Sequence, residues 1–342
     1  MSFVDSEVII TNTIVKEYDI ETGNKQINHY RMMKEIGRGV HGKVKLAQDI
    51  TTGRSAVKIV DKRNQKRRMG HGLKENGLKM EREISILKKC RHPNVVQLLE
   101  VMDNPESKKM YIVLEYTCGE IEWRQDEKPV LSIEESRRIF RDIVNGLDYR
   151  IIHRDIKPAN VLLSENRVAK ISDFGVSYYN PLLAKDSRIE PTQDLILRME
   201  KELAETAGTP AFFAPELCYA GEGKRSRISK AIDVWALGVT LYCLLFGQCP
   251  FTASSEFELF EIIPYQPLTF PFAIEDDLQD LLKSLLEKLP EKRITLDKVK
   301  SHPWLLDWNH PSMMNRNLHT AAYFLFHFTI AFSRQRTSSL SL

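Results

Sequence analysis

Four residues able to do chemistry together stand close in this sequence. Asp155, Lys157 and Asn160 lie within His153-Arg154-Asp155-Ile156-Lys157-Pro158-Ala159-Asn160, and Asp173 opens Asp173-Phe174-Gly175 thirteen residues after Asn160. A carboxylate such as Asp155 can take the proton of an attacking hydroxyl. An ammonium such as Lys157 can neutralise charge on a transferred phosphoryl group. Asn160 and Asp173 supply the hard oxygen ligands that Mg2+ prefers. Displacement at a magnesium-bound triphosphate is the chemistry this set suits.

Upstream, Ile36-Gly37-Arg38-Gly39-Val40-His41-Gly42-Lys43-Val44 has the GxGxxGxV spacing that lets backbone amides approach phosphates closely. Alone the loop is ambiguous, because a dinucleotide site reads alike. The context separates them. A dinucleotide loop opens a helix, whereas Lys43-Val44-Lys45-Leu46-Ala47 alternates like the second strand of a hairpin.

The HRDxKxxN and DFG segments, in order with the glycine loop and Ala214-Pro215-Glu216, resemble the eukaryotic protein kinases. The resemblance implies an α+β, two-lobed fold: a small antiparallel sheet lobe with one main helix over a larger, mainly helical lobe. It implies ATP and Mg2+, with Asp155 and Lys157 catalytic and Asn160 and Asp173 on the metal. ATP would be bound by Ile36 through Val44, by Lys58 of Ala56-Val57-Lys58, and by Glu83 as the lysine's helix partner. Leu162 and the backbone of Glu115 and Thr117 would meet the adenine, with Leu114 limiting its depth. In the family a lysine two residues after the catalytic aspartate accompanies serine/threonine specificity. Taken singly, Lys58 or Glu83 reads as one more solvated charge; the ordered set does not.

A finer resemblance rests on Gly39-Val40-His41-Gly42-Lys43-Val44-Lys45-Leu46 and on Thr206-Ala207-Gly208-Thr209-Pro210-Ala211-Phe212-Phe213 before Ala214. These look like the calcium/calmodulin-dependent protein kinase kinases, and among them the fungal kinases that activate the relative of the AMP-activated kinase. The likeness covers roughly residues 13–308 and implies a substrate, the activation-loop threonine of another kinase.

The elements that must position these residues are legible in part. The expected organisation is an N-terminal extension (1–29), a catalytic domain (30–306, small lobe 30–116, large lobe 117–306) and a tail (307–342). Ser132-Ile133-Glu134-Glu135 is a capping box opening a helix with Ile139, Phe140, Ile143, Val144 and Leu147 on one face. The segment Ile232 to Leu241 is apolar all round, which predicts a buried helix. Its Asp233 needs a partner, which the family supplies from the catalytic-loop backbone. Arg293 matches the arginine that pairs with Glu216.

Two segments depart from the family pattern. Only Arg150, Ile151 and Ile152 separate Tyr149 from His153, about four residues short of the family's link. Four residues are about one helical turn, so the helix is expected to lose its last turn, with residues 146–150 drawn out. The short link also supports a competing reading, a kinase-fold scaffold without turnover. The second departure is 38 residues between Gly175 and Ala214, read as a mobile loop in preference to a short helix over 194–204.

Composition bounds the rest. The chain has 342 residues, 42% hydrophobic and 28% charged, the balance of a soluble globular protein. A net charge of +3 is too small to argue for nucleic acid. Five cysteines without zinc-ligand spacing read as reduced thiols, predicting a cytoplasmic protein. No signal peptide is evident, and no apolar run reaches the ~20 residues of a membrane span. The basic run 62–68 reads as a solvated loop, with nuclear access or an acidic partner as the alternative. The aromatic tail near Phe324 to Phe332 alternates with period two, which favours a loose tail over a calmodulin-binding helix.

Overall fold

The computed structural model describes residues 8–18, 23–39, 42–50, 53–62, 73–126, 128–147, 151–179, 192–193, 202–203, 208–218 and 228–306. Val40, His41, the basic run beyond Lys62, most of the activation segment and the tail from residue 307 lie outside the described residues. The readings made for them, calmodulin included, rest on sequence alone.

The small lobe is built on one sheet. Its strands are β1 (Ile9–Thr11), β2 (Lys16–Tyr18), β3 (Lys25–Ile27), β4 (Tyr30–Gly39), β5 (Gly42–Asp49), β6 (Gly53–Asp61), β7 (Leu98–Met102) and β8 (Lys109–Glu115), ordered β1-β7-β8-β6-β5-β4-β3-β2. All neighbours are antiparallel except β1 with β7. Strand β8 shows why the sheet sits in the interior. Tyr111 and Val113 join the cluster with Ile27, Met32 and Val57, while Met110, Ile112 and Leu114 pack on the main core. Successive side chains alternate faces, and both faces of this strand are covered. Helix α1 (Leu73–Leu87) packs Met80, Ile84 and Leu87 into that main core.

Residues before Tyr30 form three of the eight strands. Ile27 is fully buried. Thr11 donates its hydroxyl to the carboxylate of Glu100, a residue only 2% exposed, and Tyr30 Oη donates to the same carboxylate at 2.9 Å. A buried carboxylate is tolerable only with such donors.

Beyond the hinge come short strands and helices. Strands β9 (Gly119–Glu120), β10 (Arg124–Gln125) and β11 (Lys128–Pro129) precede α2 (Ile133–Leu147). Then follow β12 (Ile151–Ile152), β13 (Val161–Leu163), β14 (Ala169–Ile171) and β15 (Tyr178–Tyr179). The capping box at the start of α2 forms: Glu135 N donates to Ser132 Oγ at 3.2 Å, and Ser132 N to Glu135 Oε2 at 3.3 Å. Its predicted apolar face, Ile139, Phe140, Ile143, Val144 and Leu147, is buried.

The expectation of a helix drawn out from residue 146 is overturned at Gly146 and Leu147, which are helical. Gly146 sits where a Cβ would lie 2.6 Å from the Asn94 carbonyl oxygen, so this end of α2 is fixed by close packing. Residues 148–150 lie outside the described residues, and β12 begins at Ile151, paired with β15.

Among the described residues further helices are α3 (Pro215–Cys218), α4 (Ala231–Phe246), α5 (Glu256–Ile262), α6 (Asp276–Leu285), α7 (Leu296–Lys300) and α8 (Pro303–Leu306). Gln193, Glu202 and Leu203 are helical too, against the mobile loop expected at those positions. Every residue of α4 from Ile232 to Phe246 is buried, as its mainly apolar sequence predicts, Asp233 and Thr240 included. Among the described residues no helix is long and apolar enough to cross a membrane.

Candidate active site

The phosphate-loop residues sit on the β4–β5 hairpin, where Gly37 pairs with Val44, Arg38 with Lys43 and Gly39 with Gly42. Gly42 has φ 151°, and a Cβ there would lie 2.1 Å from the Ile59 carbonyl oxygen, so no other residue fits. Ile36 is exposed, and Arg38 is tied to Glu35 at 2.8 and 3.1 Å. Lys58 projects from β6, whose register sets it between Val44 and Ile112. Its ammonium lies 2.9 and 2.7 Å from the two carboxylate oxygens of Glu83 on α1. Both side chains are largely buried, which weakens solvent screening of the pair.

The hinge leaves β8 at Glu115. Glu115 N donates to the Gln97 carbonyl at 3.0 Å, and its carboxylate accepts from Gln97 N at 2.7 Å and from Lys170 Nζ at 3.0 Å. Thr117 follows, and Cys118 N donates to Leu163 O at 2.7 Å. This bond brings the hinge against β13, where Leu162 pairs with Glu120 and Lys170. The hinge residues and Leu162 are thus side by side.

The catalytic loop is hung from α4. Asp233 accepts from His153 N at 2.6 Å and Arg154 N at 2.8 Å, the backbone partner expected for it. Burial pushes the Asp233 carboxyl up, opposed by His153 and by the two amides. Arg154 takes φ 71°, a left-handed conformation that a non-glycine residue adopts at some cost. Those two hydrogen bonds hold it there. His153 Nε2 meets the Ser172 carbonyl at 3.0 Å, and its ring packs edge-on against Phe174 at 4.9 Å. Phe174 is buried in the same apolar core that holds Leu87 of α1 and Leu98 of β7.

Around Asp155 the side chains converge. Lys157 Nζ lies 2.8 Å from Asp155 Oδ2, and Asn160 Nδ2 donates to the same oxygen at 2.9 Å. Thr209 Oγ1 donates to Asp155 Oδ1 at 2.9 Å and accepts from Lys157 Nζ at 2.6 Å. Sequence reasoning assigned Thr209 no role. Its position five residues before Ala214 was the available signal, but nothing local reveals a partner 54 residues away. Gly208, at φ 115°, makes the approach possible: a Cβ there would lie 2.6 Å from Arg154 O. Asp173 has φ 61°, is exposed, and accepts from Gly175 N at 3.3 Å.

A second tie runs from α1 to the activation segment. Arg82, next to Glu83, pairs with Glu202 at 2.9 Å, and Leu203 is buried beside Ile152 and Trp235. Arg82, Glu202, Tyr178 and Tyr179 line a cavity of about 220 Å³. Glu216 and Arg293 form a fully buried bidentate pair, at 2.8 and 2.9 Å.

Residues 30–305 match the protein kinase domain family. The chain belongs to the protein kinase family. It is 53% identical over 312 residues to serine/threonine-protein kinase ssp1 of Schizosaccharomyces pombe, an overlap of 88% of this chain and 46% of that protein. It is 43% identical over 348 residues to SNF1-activating kinase 1 of Saccharomyces cerevisiae, covering 88% of this chain and 30% of that protein. Serine/threonine-protein kinase GRIK2 of Arabidopsis thaliana is 36% identical over 302 residues, covering 86% and 70%. The chain therefore spans less than half the length of the two fungal relatives, and its catalytic domain is of the serine/threonine kind.

Proposed function

We propose that this kinase transfers the γ-phosphoryl group of ATP to the activation-segment threonine of another kinase. The observation that carries the transfer is the convergence of Lys157, Asn160 and Thr209 on the Asp155 carboxylate. The acceptor class draws support from two sources. The relative named SNF1-activating kinase 1 has an activating role in its name. The loop residues Gly39 to Leu46 and Thr206 to Glu216 resemble fungal kinases that activate the relative of the AMP-activated kinase. Five free cysteines favour a reducing compartment, so we assign the protein to the cytoplasm.

The residues present fit Mg2+ and ATP. The Asn160 amide nitrogen is engaged by Asp155, which leaves its carbonyl oxygen to ligate a cation. Asp173 presents an exposed carboxylate after the same short hairpin, so these two would hold the metal. When bound, Mg2+ offsets negative charge on the phosphates. Lys58, oriented by Glu83, would neutralise the α/β-phosphates, and the tight β4–β5 hairpin would offer its amides to them. Glu115, Thr117 and Leu162 would border the adenine.

Asp155 then orients the acceptor hydroxyl and takes its proton at the carboxylate. Lys157 faces the negative charge that develops on the transferred group. Thr209 ties the two together, holding the base and the ammonium at fixed separation. Positioning and electrostatics do the work here, with no covalent intermediate on the protein. Incubation with γ-labelled ATP and a panel of inactive kinases, followed by phosphosite mapping, tests the proposal. Label on an activation-segment threonine supports it. Label confined to other sites removes the acceptor class, and ATP binding without label supports the scaffold reading.

A further inference from the structure

Two cysteines six positions apart in sequence meet at the C-terminal end of α4. Cys243 Sγ and Cys249 Sγ lie 3.6 Å apart, in hydrogen-bond contact. The local sequence explains the meeting. Gly247 ends the helix at φ 70°, its amide donating to the Cys243 carbonyl at 2.9 Å. A Cβ on Gly247 would lie 2.5 Å from the Lys128 and Pro129 backbone, so the turn depends on glycine. The chain reverses there and sets Cys249 against the last turn of the helix.

The two thiols differ in environment. Cys243 is 0% exposed, within the cluster that holds Trp235, Val239, Phe251 and Ile263, while Cys249 is half-buried at its margin. A buried cysteine usually serves as a small apolar side chain, and that bland role suffices for Cys243 alone. It does not account for a second, half-buried sulfur in contact with the first.

We infer that Cys243 and Cys249 form a peroxide-reactive dithiol site that closes reversibly to an intramolecular disulfide. The Cys249 thiolate attacks one oxygen of hydrogen peroxide, and the O–O bond breaks. Cys249 sulfenic acid forms, and the departing hydroxide takes the thiol proton as water. Cys243 sulfur then attacks Cys249 sulfur, the S–O bond breaks, and hydroxide leaves with the Cys243 proton as a second water. Two thiols have lost two electrons and two protons, and peroxide has been reduced to two waters. A small dithiol reductant reverses the closure by exchange.

The order of attack follows from the site. Cys249 is the less buried of the two, and the hydrogen bond from Cys243, aided by the Arg124 charge and opposed by burial, holds its thiol below the usual range. Cys243 is held above that range by its bond to Cys249 and by burial, which suits it to resolve rather than initiate. A disulfide bond is about 2.05 Å long, so the sulfurs must close by roughly 1.5 Å. The non-helical segment after Gly247 can absorb that movement.

The experiment treats the full chain with a small excess of hydrogen peroxide, then denatures, alkylates and digests with trypsin. Residues 231–283 contain no lysine or arginine before Lys283, so one peptide carries both sulfurs. The expected result is that this peptide loses two hydrogens and escapes alkylation. Alkylatable thiols should fall from five to three (5 − 2), and dithiothreitol should restore them. In Cys243→Ser, dimedone should label Cys249 and no closure should occur. Should that variant fail to fold, the mapping of the unaltered chain decides alone. Full alkylation of both cysteines at doses that consume a free small thiol would overturn the inference. Sulfinic acid on Cys249 with Cys243 untouched, or a disulfide to any other cysteine, would do the same.

Discussion

Thr209 is the residue whose removal separates positioning from bulk stability. Its hydroxyl bridges Asp155 and Lys157 at the protein surface of the cleft, so Thr209→Val should lower kcat with little change in the KM for ATP. Hydrogen bonds to charged groups are worth about 1.5–3 kcal/mol, which corresponds to roughly tenfold to a hundredfold in rate. Thr209→Ser should restore most of it. Steady-state kinetics on the pair check this, and loss in Thr209→Ser without loss in Thr209→Val would point to the Thr209 methyl instead of its hydroxyl. Lys58→Met should cripple transfer in a chain that still folds, with a lowered thermal midpoint because the largely buried Glu83 carboxylate loses its ammonium partner. A thermal melt and an assay on one sample decide it. At this scale the sequence anticipated that Lys157 and Asn160 meet Asp155. The spacing of Asp155, Lys157, Asn160 and Asp173 is fixed by short connections, so motif order reads directly as geometry. Thr209 escaped because its partners are far away in the chain.

Elements were less legible. The capping box and the apolar face of α2 follow from local chemistry and form as expected. The link before His153 was misjudged at residues 146 and 147, because a count of missing residues says nothing of the packing of Gly146 against Asn94. Strands β1 to β3 carry only three residues each, and β1 and β2 are largely exposed, so period-two alternation could not announce them. They still matter to the sheet. Removing residues 1–29 strips Glu100 of the Thr11 donor and uncovers the core beside Ile27. Losing one burial of that size costs about 1.5–3 kcal/mol, and an under-bonded carboxylate adds about 1–3 kcal/mol. The truncated chain should therefore melt several degrees lower, by roughly 2–4 °C per kcal/mol. A scanning melt showing no shift would mean that these strands add nothing to the lobe.

The whole molecule depends on ties that join distant parts of the chain. Asp233 fixes the catalytic loop from α4, Phe174 shares the apolar core with α1, and Glu216–Arg293 clamps the end of the activation segment to the large lobe. Arg293→Ala would leave the Glu216 carboxylate buried and unpaired, a loss of about 3–5 kcal/mol. Urea unfolding should register it as a lower midpoint with an unchanged slope. The two-lobed fold itself was legible, since the ordered motifs carry the likeness to the protein kinases. The long-range ties were legible only where the family supplied both partners, as for Asp233 and Arg293. The central claim is phosphoryl transfer with Asp155 as the base, and its most direct test is Asp155→Asn, with ATP affinity and single-turnover rate measured on the same preparation. The account predicts ATP binding within a few-fold of the unaltered protein and transfer slowed by about 10²–10⁴-fold. Transfer at a near-normal rate would contradict it.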